Sequence, residues 1–219
     1  MWFLPTYGRP DSIRAIEETY GGFPDYRDLI LMLTEGDPSV ERYMKYPYRK
    51  VICHARSLGD QLRWILPLFP EEETYGILTD DMRPRSPYWY DSLSDAAGDR
   101  LIALSSSPGS TASLPGVPCF GGGLIRAMGS VMPPTGVHHN STDVVWREIG
   151  DMFSLITTIT EAVIYEMHPI HGNAPMDDTY KRGAFNPEFK FADPLAHEKW
   201  KHSPDYAAML GRIKTFIDG

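Results

Sequence analysis

The sequence predicts an α/β fold built on a mixed, mostly parallel, Rossmann-like sheet flanked by helices. Three observations predict it. Over the first eighty residues, short apolar runs alternate with helical patterns. One run, "DLILMLT", is unbroken, as in strands covered on both faces. Each run ends in a polar loop, and ligands of open α/β sheets sit at those carboxyl ends.

The elements follow in order. "WFLPT" is a strand, and "DSIRAIEETY" a helix with Asp11 or Ser12 as N-cap and Ile13 and Ile16 on one face. "DLILMLT" is the second strand, followed by a short helix and a third strand, "KVICHA". "LGDQLRWILPLF" places Leu62, Ile65, Leu66 and Phe69 on one helical face, and "YGILT" is the fourth strand. Beyond residue 91, "DSLSDAAG" reads as a helix, "RLIALSSS" as a strand and "SPGSTASLPGVP" as a long surface loop. "CFGGGLIRAMG" reads as a strand end, a glycine turn and a short helix. "STDVVWREIGDMFSLI" is a capped helix with Val144, Val145, Ile149, Phe153 and Ile156 inward, and "AVIYEM" is a strand. The tail "PDYAAMLGRIKTFI" is an amphipathic helix packed on the domain.

A chain of 219 residues, 42% hydrophobic, buries a real core in one domain, read as 1–91, 92–182 and a helical tail 183–219. The net charge of −8 gives no chain-wide attraction to nucleic acid or anionic membrane, so a phosphorylated ligand must be held locally. Cys53 and Cys119 make neither a disulfide framework nor a metal knuckle, which suits a reducing compartment. No apolar run approaches the roughly 20 residues of a membrane span. The start lacks the basic head and apolar middle of a secretion signal, and the expected location is cytoplasmic.

The four loops after the strands are "TYGRPD", "TEGDPS", "HARSLG" and "DDMRPRSP". They combine carboxylates, arginines and glycine near helix starts, as a phosphorylated ligand requires. Asp80 and Asp81 stand side by side where the fourth strand ends. Adjacent carboxylates repel unless a proton or a cation neutralises them, and a hard divalent ion does so while bridging a diphosphate. A capped turn is the plain alternative reading.

"FLPTYGRPDSI", "LMLTEGDP", "YGILTDDMRPRSPYW" and "MHPIHG", in that order, resemble a glycosyltransferase of the GT-A fold, of the inverting family-two type and of the short versions encoded by bacteriophages. The resemblance implies a metal-dependent enzyme that moves a sugar from a nucleoside diphosphate, UDP foremost, to a hydroxyl acceptor on a modified nucleic acid base, a protein or a glycan. It also implies an acceptor-side subregion in the second half of the sheet.

In that family an Asp-x-Asp element ends the fourth strand and holds Mn²⁺ or Mg²⁺. Here it reads Thr79, Asp80, Asp81, which makes Asp81 the direct ligand and Asp80 a contact through water or a sugar hydroxyl. A late histidine completes the metal shell, His168 or else His171. The resemblance places Pro5, Thr6, Tyr7 and Arg9 along the nucleotide and Glu35 or Asp37 at its base or ribose. Gly122, in "FGGG", falls under the donor sugar. Arg56 is a phosphate contact or a solvated loop charge. The catalytic base falls on Asp143, whose usual preceding acid is replaced by Thr142; a carboxylate in a first helical turn also complements the helix dipole.

Four features take ordinary readings: His138 and His139 as a polar loop lining the acceptor cleft instead of metal ligands, Asp177 and Asp178 as a helix N-cap instead of a second metal site, Cys53 as core, and the Tyr88–Tyr90 aromatics as core or a stacking surface. Two other classes remain open, another metal-dependent nucleotide-phosphate enzyme such as a nucleotidyltransferase, and an inactive nucleotide-sugar-binding domain.

Overall fold

The computed structural model of the protein describes residues 1–19, 28–108, 114 and 116–219. Its first half runs β1 (Trp2–Pro5), α1 (Pro10–Thr19), β2 (Leu29–Thr34), α2 (Val40–Tyr43), β3 (Arg49–Cys53), α3 (Leu58–Leu68) and β4 (Thr74–Ile77). The second half continues with β5 (Met82–Pro84), α4 (Trp89–Ala97), β6 (Ile102–Ser106), β7 (Pro118–Gly121), α5 (Gly122–Met128), α6 (Thr142–Met152) and β8 (Ile156–Glu166). A 3₁₀ turn (Pro169–His171) leads to α7 (Asp178–Arg182), α8 (Pro187–Lys201) and α9 (Pro204–Asp218).

The described strands form one eight-stranded sheet in the order β3-β2-β1-β4-β7-β6-β8-β5. Pairing is parallel from β3 to β4 and between β6 and β8, and antiparallel where β7 joins β4 and β6 and where β5 joins β8. Period-two alternation divides the core between the two faces. Phe3, Ile30 and Met32 face α3, α5, α6 and α9 through Leu62, Ile125, Ile149 and Ile213. Trp2, Leu4, Leu29 and Leu31 face α1 and α4 through Ile13, Ile16, Trp89 and Leu93. Gly76 makes room for this packing, because a Cβ there would stand 2.3 Å from the Trp2 ring.

Several expectations are corrected. Helix α1 starts at Pro10, so Asp11 lies inside its first turn and neither Asp11 nor Ser12 precedes it as cap. The "DDMRPRSP" segment is more than a loop, because Met82–Pro84 pairs with Glu166, Tyr165 and Ile164. Ile156 opens β8 instead of closing the preceding helix. Within "SPGSTASLPGVP", residues 109–113 and 115 lie outside the described residues, while Leu114 and Val117 are buried in the core. Helix α8 was not foreseen. The tail helix packs as expected, with Met209 and Ile213 buried in the core that α5 shares.

Both cysteines are buried and free. Burial pushes each thiol up to about 11, which leaves them packing groups at neutral pH. Among the described residues, no helix is long and apolar enough to cross a membrane.

Candidate active site

The chain turns out of β1 and β4 at one edge of the sheet, and the loops there open into a cleft of about 400 Å³. Asp80 and Asp81 both line it, but their surroundings differ. Asp80 is 6% exposed, accepts from Thr6 Oγ1 at 2.8 Å and pairs with Arg9 at 2.9 Å. Tyr43 O–H completes a chain of donors. Arg9 N–H donates to it at 2.9 Å, and because the Thr6 hydrogen goes to Asp80, the 2.8 Å contact from Tyr43 to Thr6 is donated by the tyrosine. Burial and the neighbouring Asp81 charge raise the Asp80 pKa against the pull of Arg9.

Asp81 is half-buried and less committed. Thr79 Oγ1 donates to its Oδ1 at 2.6 Å. Its Oδ2 meets Tyr180 O–H at 3.4 Å, yet the single hydrogen of that hydroxyl is also drawn by Met167 O. Oδ2 therefore keeps acceptor capacity toward the cleft. Burial, then the Asp81 charge, raises the Tyr180 pKa and keeps its hydroxyl protonated as a donor.

Arg9 ties this edge to a segment far along the chain. Its Nε and terminal nitrogen donate to Asp177 Oδ2 and Oδ1, each at 2.7 Å, in a two-pronged pair. The guanidinium also lies 3.8 Å over the Tyr180 ring. Burial opposes the Arg9 charge, but its bonds to Asp177 and the field of Asp80 outweigh that and raise its pKa. For Asp177 burial likewise opposes ionisation, and the Arg9 bonds and the Tyr180 N–H prevail, holding its carboxyl below the ordinary value. Of the two acids expected to cap this helix, Asp178 is the first helical residue and Asp177 is the N-cap, accepting from Tyr180 N at 2.9 Å. Its second role as clamp partner went unforeseen. Thr179 Oγ1 donates to Tyr7 O at 2.8 Å and Arg182 stacks 3.7 Å over the Tyr7 ring, so α7 closes one wall of the cleft.

The opposite wall is the start of α6, where Asp143 stands half-buried in the first turn and lines the cleft. The preceding loop is held by Asp193 of α8, which is 0% exposed. Its oxygens accept from His138 N at 2.9 Å and from His139 N and Asn140 N at 2.6 Å each. Burial lowers the His139 pKa, against the nearby charges of Asp81, Asp193 and Asp143. The same loop lies on α3: Gly59 N donates to His138 O at 2.7 Å, and a Cβ on Gly59 would stand 2.1 Å from Val137 O. Asn140 Nδ2 is buried beside this wall without a hydrogen-bond partner among the described residues.

Pro5, Thr6, Tyr7 and Arg9 line the cleft, as do Arg56, Asp80, Asp81, Asp143 and His168. Arg9, expected along the nucleotide, lines the cleft and also acts as a structural clamp, giving three of its N–H groups to two carboxylates. Four expected residues stand elsewhere. Glu35 pairs outward with His54. Asp37 spends its oxygens on Gly8 N at 2.9 Å and Ser39 N at 2.7 Å, shaping the loops after β1 and β2. Gly122 opens α5 beyond the β7 residue paired with Thr74, at the end of β4 opposite the aspartates. His171 faces Glu166 at 3.2 Å instead of the cleft.

Among the described residues, no three His, Cys, Asp or Glu side chains form a closed metal site. The donor set still suits a hard divalent ion shared with a diphosphate, which takes only one or two protein ligands and fills its shell with phosphate oxygens and water. Asp81 supplies the carboxylate and His168 an imidazole on the same cleft. The backbone N–H of Met167 donates to Asp81 O at 2.8 Å, which sets His168 one residue from the aspartate's strand partner. His168 Nδ1 accepts from Ile170 N at 3.2 Å, so ligation through Nε2 needs the other tautomer and gives up that bond.

The fold is that of the GT-A nucleotide-diphospho-sugar transferases. Glucosyl-3-phosphoglycerate synthase from Mycobacterium tuberculosis, solved with Mn²⁺, UDP and phosphoglyceric acid, matches with a TM-score of 0.59 at 13% identity, over 97% of this chain and 77% of that one. The mannosyltransferase PcManGT from Pyrobaculum calidifontis, solved with GDP-Man and Mn²⁺, gives 0.53 at 15% identity, over 98% and 74%. TarS residues 1–349 from S. aureus give 0.52 at 13% identity, over 98% and 80%. No protein-family profile matches the chain, and no curated protein matches it in sequence.

Proposed function

We propose that the protein is a divalent-metal-dependent, inverting glycosyltransferase that moves a sugar from a nucleoside diphosphate, UDP in the first instance, to a hydroxyl acceptor. The observation that carries this reading is the unequal aspartate pair. Asp80 is neutralised by Arg9 and Thr6, while Asp81 turns a less committed oxygen to a cleft that Asp143 borders from the other wall. A capped turn would have no use for such a division.

Asp81 and His168 would hold the Mn²⁺ or Mg²⁺, which would supply positive charge beside the donor diphosphate. Arg56 and Arg182, both exposed on the rim, offer guanidinium groups to phosphate oxygens. Asp143 takes the proton of the acceptor hydroxyl as its oxygen bonds to the anomeric carbon. The bond from that carbon to the diphosphate oxygen breaks on the opposite face, and nucleoside diphosphate leaves with the electron pair. Leu114, Val117, Pro118 and Trp146 wall the cleft with apolar surface that excludes water from the reacting carbon.

A thermal-shift panel of UDP-, GDP-, CMP- and dTDP-sugars with and without Mn²⁺, on wild type and Asp81→Ala, tests the reading. Metal-dependent stabilisation by one nucleotide that vanishes in the variant is the expected result. If no nucleotide shifts the melting temperature under any condition, the assignment falls.

A further inference from the structure

Resting on that reading, the donor base still needs a reader, because the two acids expected to meet it are engaged elsewhere. Asp37 shapes loops with both oxygens, and Glu35 pairs with His54 outside the cleft. Two buried polar side chains also line the cleft there. Gln61, in the first turns of α3, is 4% exposed, and Thr34, the last residue of β2, is 6% exposed.

Their orientation is set by hydrogen bonding. Gln61 Nε2 donates to Met32 O at 2.8 Å and to Thr34 Oγ1 at 3.1 Å. A carbonyl can only accept, so the amide cannot be turned over without setting two oxygens against each other. Both Nε2 hydrogens are thereby spent, and Oε1 keeps its acceptor capacity without a partner among the described residues. Thr34 Oγ1 is used as an acceptor in this contact, and its hydroxyl hydrogen has no acceptor among the described residues. A carbonyl acceptor and a hydroxyl donor thus sit side by side on the cleft floor. A uracil edge has the matching pair, an N3–H donor beside an O4 acceptor.

We propose that Gln61 Oε1 and the Thr34 hydroxyl read the N3–H/O4 edge of a uracil base, making Gln61 a specificity-determining residue for the donor. Burial makes this pair effective, because a base that cannot complete it leaves a desolvated oxygen unpaired. Neither residue bears charge, so selection costs nothing in ion pairing and stays insensitive to salt.

The test is calorimetric titration with UDP, 3-methyl-UDP, which lacks the N3 hydrogen, and 2′-deoxy-UDP, each with Mn²⁺. Wild type should bind UDP about tenfold more tightly than 3-methyl-UDP, the worth of one desolvated hydrogen bond. Gln61→Met, which keeps the length of the side chain, should collapse that ratio toward one. Thr34→Val should weaken UDP and 3-methyl-UDP alike, because both keep the O4 acceptor that the hydroxyl would meet. Equal binding of UDP and 3-methyl-UDP by wild type overturns the proposal without any variant. So does a ratio that survives Gln61→Met, or a Gln61-dependent loss seen with 2′-deoxy-UDP instead, which would make the ribose the partner. If UDP binds with metal and only the Gln61 dependence is missing, the glycosyltransferase reading stands and this inference alone falls. If no uridine nucleotide binds, this inference falls, and the glycosyltransferase reading falls with it only where no other nucleotide binds either.

Discussion

Arg9 and Asp177 are joined by two parallel 2.7 Å hydrogen bonds across 168 residues of sequence. The same guanidinium reaches Asp80 at 2.9 Å, so one side chain neutralises a buried carboxylate and fastens α7 over the cleft.

Removing Arg9 separates those two tasks from mere surface charge. Arg9→Ala leaves Asp80 buried without its cation and should cost about 3 kcal/mol of stability, as breaking a buried pair does. Asp177→Ala, at a half-exposed carboxylate, should cost less and act chiefly by loosening α7. Urea unfolding of the two variants, with limited proteolysis around residues 177–184, measures both effects.

Asp81→Ala should leave the unfolding midpoint nearly unchanged and remove the metal-dependent part of nucleotide binding. Asp80→Ala strips Arg9 and Thr6 of their partner and should lower stability as well. Titration of UDP with and without Mn²⁺, beside thermal unfolding of the apo proteins, distinguishes a ligand from a structural carboxylate.

Asp143→Asn keeps the shape of the first turn of α6 and should reduce turnover about 10²- to 10⁴-fold, the worth of a general base. Donor affinity should stay within twofold, roughly the scatter expected where no donor contact is lost. Loss of donor affinity equal to the loss of turnover would place Asp143 on the nucleotide instead of the acceptor.

Asp193→Ala withdraws the acceptor from three backbone N–H groups at residues 138–140. With the carboxylate fully buried, the cost should be about 3 kcal/mol. Because that loop leads into the helix bearing Asp143, turnover should fall further than donor affinity does.

Acid should weaken the fold in a defined window. Burial lowers the His197 pKa below 6.5, against the pull of Glu148, which stands 3.1 Å away, and of Glu198, and with the repulsion of Lys201. His139 is shifted the same way. Between their folded and unfolded values these histidines bind more protons in the unfolded chain. Their contribution is therefore full above pH 6.5, declines as pH falls through the window and levels off below the folded pKa. Asp80, raised to about 6, opposes the slope at the acid end. Melting temperature followed from pH 8 to pH 5 in wild type and His197→Gln should show the slope reduced in the variant, as about one fewer proton is taken up on unfolding.

Strands β1, β2 and β4 were legible because each is a compact, largely apolar run, and β2 has all six residues buried, while β3 shows only in residues 51–53. The double aspartate was legible by its place at a strand end. Strand β5 was not, since three residues containing a proline carry no periodicity, and its partner lies some eighty positions on. Asp193 and the clamp role of Asp177 were invisible for the same reason: their partners are distant in sequence and near only after folding. Gly122 misled because turn chemistry does not reveal which end of a sheet a glycine occupies. Gln61 did leave a trace, a polar residue one helical turn before Ile65 on the apolar stripe of α3.

The placement of Asp177 and Asp193 also orders events during synthesis. A ribosome releases β1 to β4 first, and their parallel core is able to collapse early. The edge that bears Asp80 and Asp81 then waits for its clamp until Asp177 has emerged, and the opposite wall of the cleft waits for Asp193. Chain closure over such separations is slow relative to local helix formation. A nascent chain therefore carries Asp80 and Asp81 before either wall of the cleft is fastened, and the walls close only as α7 and then α8 dock.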